Sequence, residues 1–402
     1  MQSNQSIFRG DLVLWGVLAL LALFSFFPVF SASSNLSYVV GNGTPWQHLF
    51  KHTFILVMGF IIMLGVHRIP HHYFKGISIL MLPVVILLLL YTATQGTVIG
   101  GANASRWIRL PIVGISFQTS TLASVVLMMY AAHYLDKTKH LQQAFQETLI
   151  PLWLPVGIIL GLILPSNLST AVIVFFMLSV LLFFGGYPWR QLLLVWGMGA
   201  VVFLLFFLTA KAFPEAVPNR IDTWVSRIEN FREPSQNADA NYQVERAKIA
   251  IATGGVSGLG VGKSVMKNFL PQSSSDFIFA IIVEEFGLLG GFIVIFLYLL
   301  VLFRIMVIVH RSSTPYAKLL VMAVGLPVVF QAFINIGVAV NIFPVTGQTL
   351  PMVSSGGTAA WMTCVAFGIV LSVSAQDDTP APETSLPSEY PSNPLDVLSE
   401  TL

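Results

Sequence analysis

Charge is what this chain has least of. It carries 20 Lys and Arg and 18 Asp and Glu among 402 residues, 9% in all, where a soluble domain carries roughly 25%. So few charges cannot cover a soluble surface of this size, and a water-soluble globular protein is excluded. Cysteine is nearly absent too. Cys364 is alone, which rules out a disulfide within the chain and argues against a thiolate metal cluster. The net charge is only +2 and the basic residues do not cluster, so nothing points to nucleic acid as a partner. Metal-ligand spacing is lacking as well: His52, His67, His71, His72 and His133 share no helix face with carboxylates or cysteine and read as loop or packing residues.

What the chain does have is apolar sequence, 55% of its residues, in runs of ~17–25, the length that crosses a hydrocarbon core of ~30 Å. Spans are expected near 12–30, 48–66, 77–95, 117–135, 149–165, 168–186, 191–210, 277–303, 317–341 and 356–374. The expectation is therefore an all-α polytopic membrane protein of about ten transmembrane helices. No small-residue cleavage site follows the first run, which reads as a retained helix rather than a signal peptide. Ten spans put both termini on one side, and the positive-inside rule selects which. With the termini in the cytoplasm, the inner segments hold Arg9, Arg68, Lys75, Lys137, Lys139, Arg190, Arg304, Arg311 and Lys318. The short outer loops hold only Lys51, Arg106 and Arg109.

One long connection, about 211–276, then lies outside, and it is unusually charged for this chain. A loop of that length is uncommon unless it is functional or disordered. Within it, Ala247 to Thr253 is an apolar stretch suited to re-entering or resting on the membrane, and a glycine-rich run from Gly254 to Gly262 follows. Glycines there allow backbone to approach a ligand closely. Residues 1–375 form the membrane domain. The tail 376–402, rich in Pro, Ser, Thr and acids, reads as a disordered cytoplasmic segment.

Gly262-Lys263-Ser264 suggests a phosphate-binding P-loop, but that motif needs a glycine where Ser257 stands and a preceding strand in an α/β domain. Asp276 opens the eighth span, with Glu284 and Glu285 ~12–14 Å further along it. Charge inside a bilayer is costly and usually faces a polar cavity; one glutamate satisfying a neighbouring helix is the plainer alternative. Asp276 is the better chemical candidate, at the water-accessible end beside a charged loop, although a rim carboxylate also suits a helix N-terminus. Arg106 and Arg109 run against the charge rule. Beside Trp107 they read either as interfacial anchors or as a fork for phosphate.

Four blocks give these residues a context: Ala104-Ser105-Arg106-Trp107-Ile108 with Ser116-Phe117-Gln118; Pro165 to Ala171; Lys267 to Leu288; and Asn335 to Gly357. In all four the chain resembles the SEDS family (FtsW, RodA, SpoVE) over about residues 10–375, leaning to its division branch over its elongation branch. The resemblance implies a ten-helix fold with both ends in the cytoplasm and glycosyl transfer from lipid II outside the membrane. Asp276 matches the family's essential aspartate, and Arg106, Lys267 and Glu285 match its loop arginine, loop lysine and second glutamate. Lys263 and Ser355 join them as expected substrate-binding residues. The implied partners are a class B penicillin-binding protein, an FtsI-like transpeptidase, and other division membrane proteins. The resemblance fixes no cofactor, and a divalent cation (Mg or Mn) is a candidate to share the leaving group's charge. The chain departs from the family at Thr121 and Ser124, where a glutamate and a lysine are usual, and in Pro165-Ser166-Asn167-Leu168-Ser169-Thr170, which lacks an acid. Two rival functions stand: a lipid II flippase, which should show internal repeats and broken helices, and a non-catalytic scaffold.

Overall fold

The computed structural model describes residues 8–39, 44–94, 98–99, 102–103, 107–109, 116–139, 144–212, 227, 231, 238–270 and 273–377. Helices dominate: α1 (Leu12–Val39), α2 (Pro45–Val66), α3 (Tyr73–Thr94), α4 (Thr119–Thr138), α5 (Phe145–Thr148), α6 (Leu154–Ile163), α7 (Leu168–Phe184), α8 (Trp189–Ala212), α9 (Ala238–Gly254), α10 (Ile278–Arg311), α11 (Pro315–Ala339) and α12 (Thr358–Asp377). A π-helical turn, Leu149–Trp153, joins α5 to α6, so each of the ten expected spans has its helix. Two short hairpins lie between α3 and α4: β1 (Val98–Ile99) with β2 (Ala102–Asn103), and β3 (Trp107–Arg109) with β4 (Ser116–Gln118). Among the described residues, eight helical segments are long and apolar enough to cross a membrane, and α7 is a shorter apolar helix. The protein is a multi-pass membrane protein.

The first described residues and the last turns of α12 lie at one end of the bundle, because a Cβ on Gly10 would stand 2.8 Å from Leu371 O and 3.1 Å from Ala375 N. The opposite end, called here the loop end, carries α9 and the segments before α10 and α12. The core runs through α4, α10, α11 and α12, where Leu127, Ile282, Val301, Leu320 and Val370 are buried. By contrast α8 exposes most of its length, including Leu193, Val202 and Leu205, as expected of a surface facing lipid rather than water.

The long span α10 is not one straight rod. Gly287 has φ 69° and ψ −173° inside it, a left-handed backbone that glycine alone adopts at little cost. In a continuous helix Gly291 would stand ~12 Å from Val283 and ~18 Å from Phe279. Here a Cβ on Gly291 would be 3.0 Å from Val283 Cγ2 and 3.4 Å from Phe279 Cζ. The arm 278–286 is therefore folded back on the arm 288–311, and the longer arm alone, at ~36 Å, suffices to cross the core.

Of the long connection, α9 is described, and its Ala247 and Ala250 are buried against Phe277, Ala280 and Ile281 of the folded-back arm. The apolar stretch thus packs on protein. The expected tail lies outside the described residues, apart from the last turn of α12, which runs to Asp377.

Candidate active site

Asp276 sits at the foot of the folded-back arm, half-buried. Its backbone carbonyl accepts from Asn335 Nδ2 at 2.7 Å, and the same amide donates to Gln348 O at 2.7 Å. A Cβ on Gly347 would be 3.6 Å from Asp276 Oδ2, so the carboxylate faces the 344–357 segment. That segment is tied to the aspartate's own strand of chain: Ser354 Oγ donates to Ser275 O at 2.6 Å, and Ser355 N donates to Ser274 O at 2.9 Å. The expected Ser355 is thereby placed beside Asp276, through its backbone.

The depth of this site follows from helix register. Gly325 packs on Ile305, next to Arg304, with a Cβ contact of 3.0 Å. Asn335 lies ten residues from Gly325 toward the loop end, ~15 Å of rise. Arg304 is ion-paired with Asp11 at the terminal end. The Asp276 carbonyl is accordingly ~15–20 Å along the bundle from that pair. Sequence places the aspartate at the mouth of the helix; the fold-back at Gly287 draws it down.

A groove opens beside it between α4, α7, α11 and α12, enclosing about 710 Å³ with its open side included. Gln348 leads into it, donating to Thr170 Oγ1 at 3.0 Å. Polar side chains of Thr121, Ser124, Thr170, Gln331 and Gln348 line its upper part, and Met128, Val174, Met177 and Val324 line its apolar depth. Thr121 and Ser124, the two departures from the family pattern, are therefore groove residues. Ser124 Oγ donates to Ser120 O at 2.7 Å and Thr121 Oγ1 to Gln118 O at 2.8 Å. That wall is neutral and internally satisfied. Hairpin β3–β4 closes this side, since Gln118 N donates to Thr358 Oγ1 at 3.2 Å and Gln118 pairs with Trp107. Arg106 precedes Trp107 and lies outside the described residues.

Glu285, Lys267 and Lys263 gather elsewhere, around the turn at Gly287. Glu284 Oε1 accepts from Val265 N at 2.9 Å and Met266 N at 3.1 Å, and its Oε2 accepts from Ser264 Oγ. Glu285 Oε1 accepts from Ser264 N at 3.3 Å and from Ser31 Oγ of α1. Lys267 Nζ donates to Ser31 Oγ at 3.3 Å and Gly262 O at 2.8 Å, while Lys263 is exposed. The glycine run lies along the turn. Leu259 N and Gly260 N donate to the carbonyls of Glu284 and Glu285, and Leu288 N and Leu289 N donate to those of Gly255 and Val256. What the glycines approach closely is the backbone of α10: a Cβ on Gly258 would be 2.2 Å from Glu285 O.

The structure thus brings together Asp276 and Ser355, and separately Glu285, Lys267 and Lys263. Sequence reasoning missed Asn335, Gln348, Thr170 and Ser31. Asn335 was findable, as a buried amide in an apolar helix needs a partner; Ser31 carried no signal. Among the described residues, no group of three or more His, Cys, Asp or Glu side chains is placed to hold a metal ion.

Residues 11–379 match the FtsW/RodA/SpoVE family of cell cycle proteins. The chain is 30% identical over 359 residues to a probable peptidoglycan glycosyltransferase FtsW of Halomonas elongata, covering 88% of this chain and 87% of that one. It is 32% identical over 368 residues to a protein of the same name from Thiomicrospira cyclica, covering 89% and 90%. Among solved structures, a chain of a peptidoglycan synthase complex aligns with TM-score 0.68 at 23% identity, covering 92% of this chain and 99% of that one. The rod shape determining protein RodA of Thermus thermophilus aligns with TM-score 0.65 at 22% identity, covering 92% and 98%. At those identities the structural likeness speaks for the fold.

Proposed function

This chain belongs to the FtsW/RodA/SpoVE family, and on that premise we propose that it polymerises lipid II into glycan strands on the outer face of the cytoplasmic membrane, in septal wall synthesis. The observation that carries the reading is Asp276, held by Asn335 at the rim of a groove whose depth is apolar and whose upper wall is polar. Such a groove suits a lipid-borne sugar. Nine basic residues against three orient the chain: the terminal end is cytoplasmic and the loop end is outside.

In the proposed reaction the 4-hydroxyl of the acceptor's GlcNAc attacks the anomeric carbon of the donor's MurNAc. The new C1–O4 bond forms as the bond to undecaprenyl pyrophosphate breaks. Asp276 takes the hydroxyl proton, because a sugar hydroxyl is a weak nucleophile at neutral pH. Charge developing on the pyrophosphate is met by cations, for which Arg106, Lys263 and Lys267 are the candidates, with Glu285 aligning Lys267 through Ser31. Among the described residues Asp276 belongs to no group of three or more His, Cys, Asp or Glu side chains that could hold Mg or Mn, so such an ion would be held chiefly by the substrate's phosphates. No step is routed through one. The partner is a class B penicillin-binding protein of the FtsI type, with other division membrane proteins around the pair.

A broken helix is also what a lipid II flippase would use, and α10 is broken at Gly287. The carbonyls at that break are taken by Leu259 and Gly260, which favours polymerisation over transport. Purified protein with its partner, given labelled lipid II, separates the readings. Polymer that disappears in Asp276→Asn supports the proposal. Translocation without polymer would support the flippase, neither product would support a scaffold, and full polymer yield from Asp276→Asn would sink the role of Asp276.

A further inference from the structure

Two contacts between α1 and α10 mark off the bilayer. At the terminal end Arg304 Nε donates to Asp11 Oδ2 at 2.9 Å. At the loop end Ser31 Oγ donates to Glu285 Oε1. Twenty residues of α1 separate Asp11 from Ser31, ~30 Å of helical rise, which is the thickness of a hydrocarbon core. Ionisable groups avoid direct contact with the lipid interior, and we take these two contacts, one core thickness apart, as marking the core's edges. The turn at Gly287, bonded directly beside Glu285, lies at the outer edge, and the glycine loop laid upon it lies there too.

That loop does not look like one turned to water. Val256 is 66% exposed, Val261 53%, Val265 48% and Leu259 37%. The start of the loop is tied to the top of the long arm of α10, where Leu288 N and Leu289 N donate to Gly255 O and Val256 O and where Leu288, Leu289 and Phe292 are exposed on the surface read here as facing lipid. The loop's cations are at the same level: Lys267 is bonded to Ser31, and Lys263 is exposed in the same loop. Apolar side chains against the acyl region with lysines at the phosphates is the arrangement of an interfacial membrane segment.

We propose that residues 255–265 are seated in the outer leaflet, with Val256, Leu259, Val261 and Val265 in contact with lipid and Lys263 and Lys267 at the level of the lipid phosphates. The loop is thereby a lipid-binding surface, braced on the protein by Glu284 and Glu285. Its partner is the bilayer itself, and the proposal does not depend on the reaction catalysed.

The sole native cysteine, Cys364, is fully buried, so a single introduced cysteine can be spin-labelled in the full chain. The labels are placed at Val256→Cys, Val261→Cys and Val265→Cys in phosphatidylethanolamine–phosphatidylglycerol vesicles. Phe292→Cys serves as the lipid reference and the exposed Glu245→Cys of α9 as the water reference. Collisional access to oxygen, relative to a water-soluble nickel chelate, is then read at each site. The ratio at 256, 261 and 265 is expected to match that at 292 and to exceed that at 245 several-fold. Ratios equal to the value at 245 would place the loop in water, and labels shielded from both reagents would place it under protein; either result overturns the proposal. Three independent sites keep the outcome readable should one variant fail to insert.

Discussion

One side-chain amide, that of Asn335, donates both to the backbone carbonyl of Asp276 and to that of Gln348, each at 2.7 Å. A single group on α11 thus joins the segment carrying the proposed base to the segment that enters the groove. Asn335 is 1% exposed, so Asn335→Ala strands two acceptors, at ~1–3 kcal/mol for each group left unsatisfied. The variant is expected to insert, to melt at a lower temperature, and to lose roughly tenfold or more of its polymerising rate as the carboxylate drifts, ~1.4 kcal/mol of barrier. Parallel assays of melting and glycan synthesis check this. A variant that melts early yet polymerises at the normal rate would leave Asn335 a structural residue only.

Gly287→Ala tests the fold-back of α10. The left-handed backbone costs a residue with a Cβ ~1–3 kcal/mol, and the added Cβ would stand 2.2 Å from Val256 O and 2.5 Å from Gly258 N. Backbone on both sides leaves little room to yield. We expect the variant to be recovered poorly from membranes, whereas Gly157→Ala, with nothing within 4 Å of its Cβ, is recovered normally. Equal recovery of the two would contradict the geometry at the turn.

Most of the spans were legible because lipid demands apolar runs of a set length, and 12–30 or 317–341 satisfy that demand from composition alone. The fold-back was not legible. Apart from Glu284, Glu285 and Arg304, Ile278 to His310 reads as one apolar helical run, and a glycine inside such a pattern is usually tolerated without a turn. Only the partner backbone of residues 255–260 explains Gly287, and that partner lies some 30 positions earlier in the chain. Asp276 was picked out by its charge at a span's edge and by family likeness, but its depth was hidden because depth depends on the turn. The glutamate pair stood out for the same reason of charge. Their actual neighbours, Ser31, Ser264 and the N–H groups of Val265 and Met266, are small or backbone groups that leave no mark in sequence.

Glu284 accepts three hydrogen bonds from residues 264–266, so its neutral amide analogue should loosen the loop without emptying the site of volume. Glu284→Gln keeps one carbonyl oxygen and replaces the other acceptor by a donor. The oxygen serves either the two N–H groups or Ser264, not both. Hydrogen exchange at the Val265 and Met266 amides of vesicle-embedded protein should then run several-fold faster than in the parent chain. Unchanged exchange would mean that the loop is held by its backbone bonds to the Gly287 turn alone.

Arg304 and Asp11 provide the last test, because Asp11 serves two purposes at once. Its Oδ2 meets Arg304, and its Oδ1 accepts from Leu14 N at 2.8 Å as the cap of α1. Asp11→Asn keeps a capping oxygen and loses the charge, whereas Asp11→Ala loses both. Breaking a fully buried pair costs ~3–5 kcal/mol; Arg304 retains 19% side-chain exposure against 3% for Asp11, so about 2–3 kcal/mol is the expectation for Asp11→Asn. Asp11→Ala should cost ~1 kcal/mol more, the usual worth of a cap. If the penalty arises from a stranded charge, Asp11→Asn combined with Arg304→Gln must be less destabilised than the sum of the two single variants, by ~1 kcal/mol or more. Chemical unfolding in detergent micelles measures all four variants. Strict additivity would mean that α1 and α10 are held together at this end by packing, with the ion pair contributing nothing of its own.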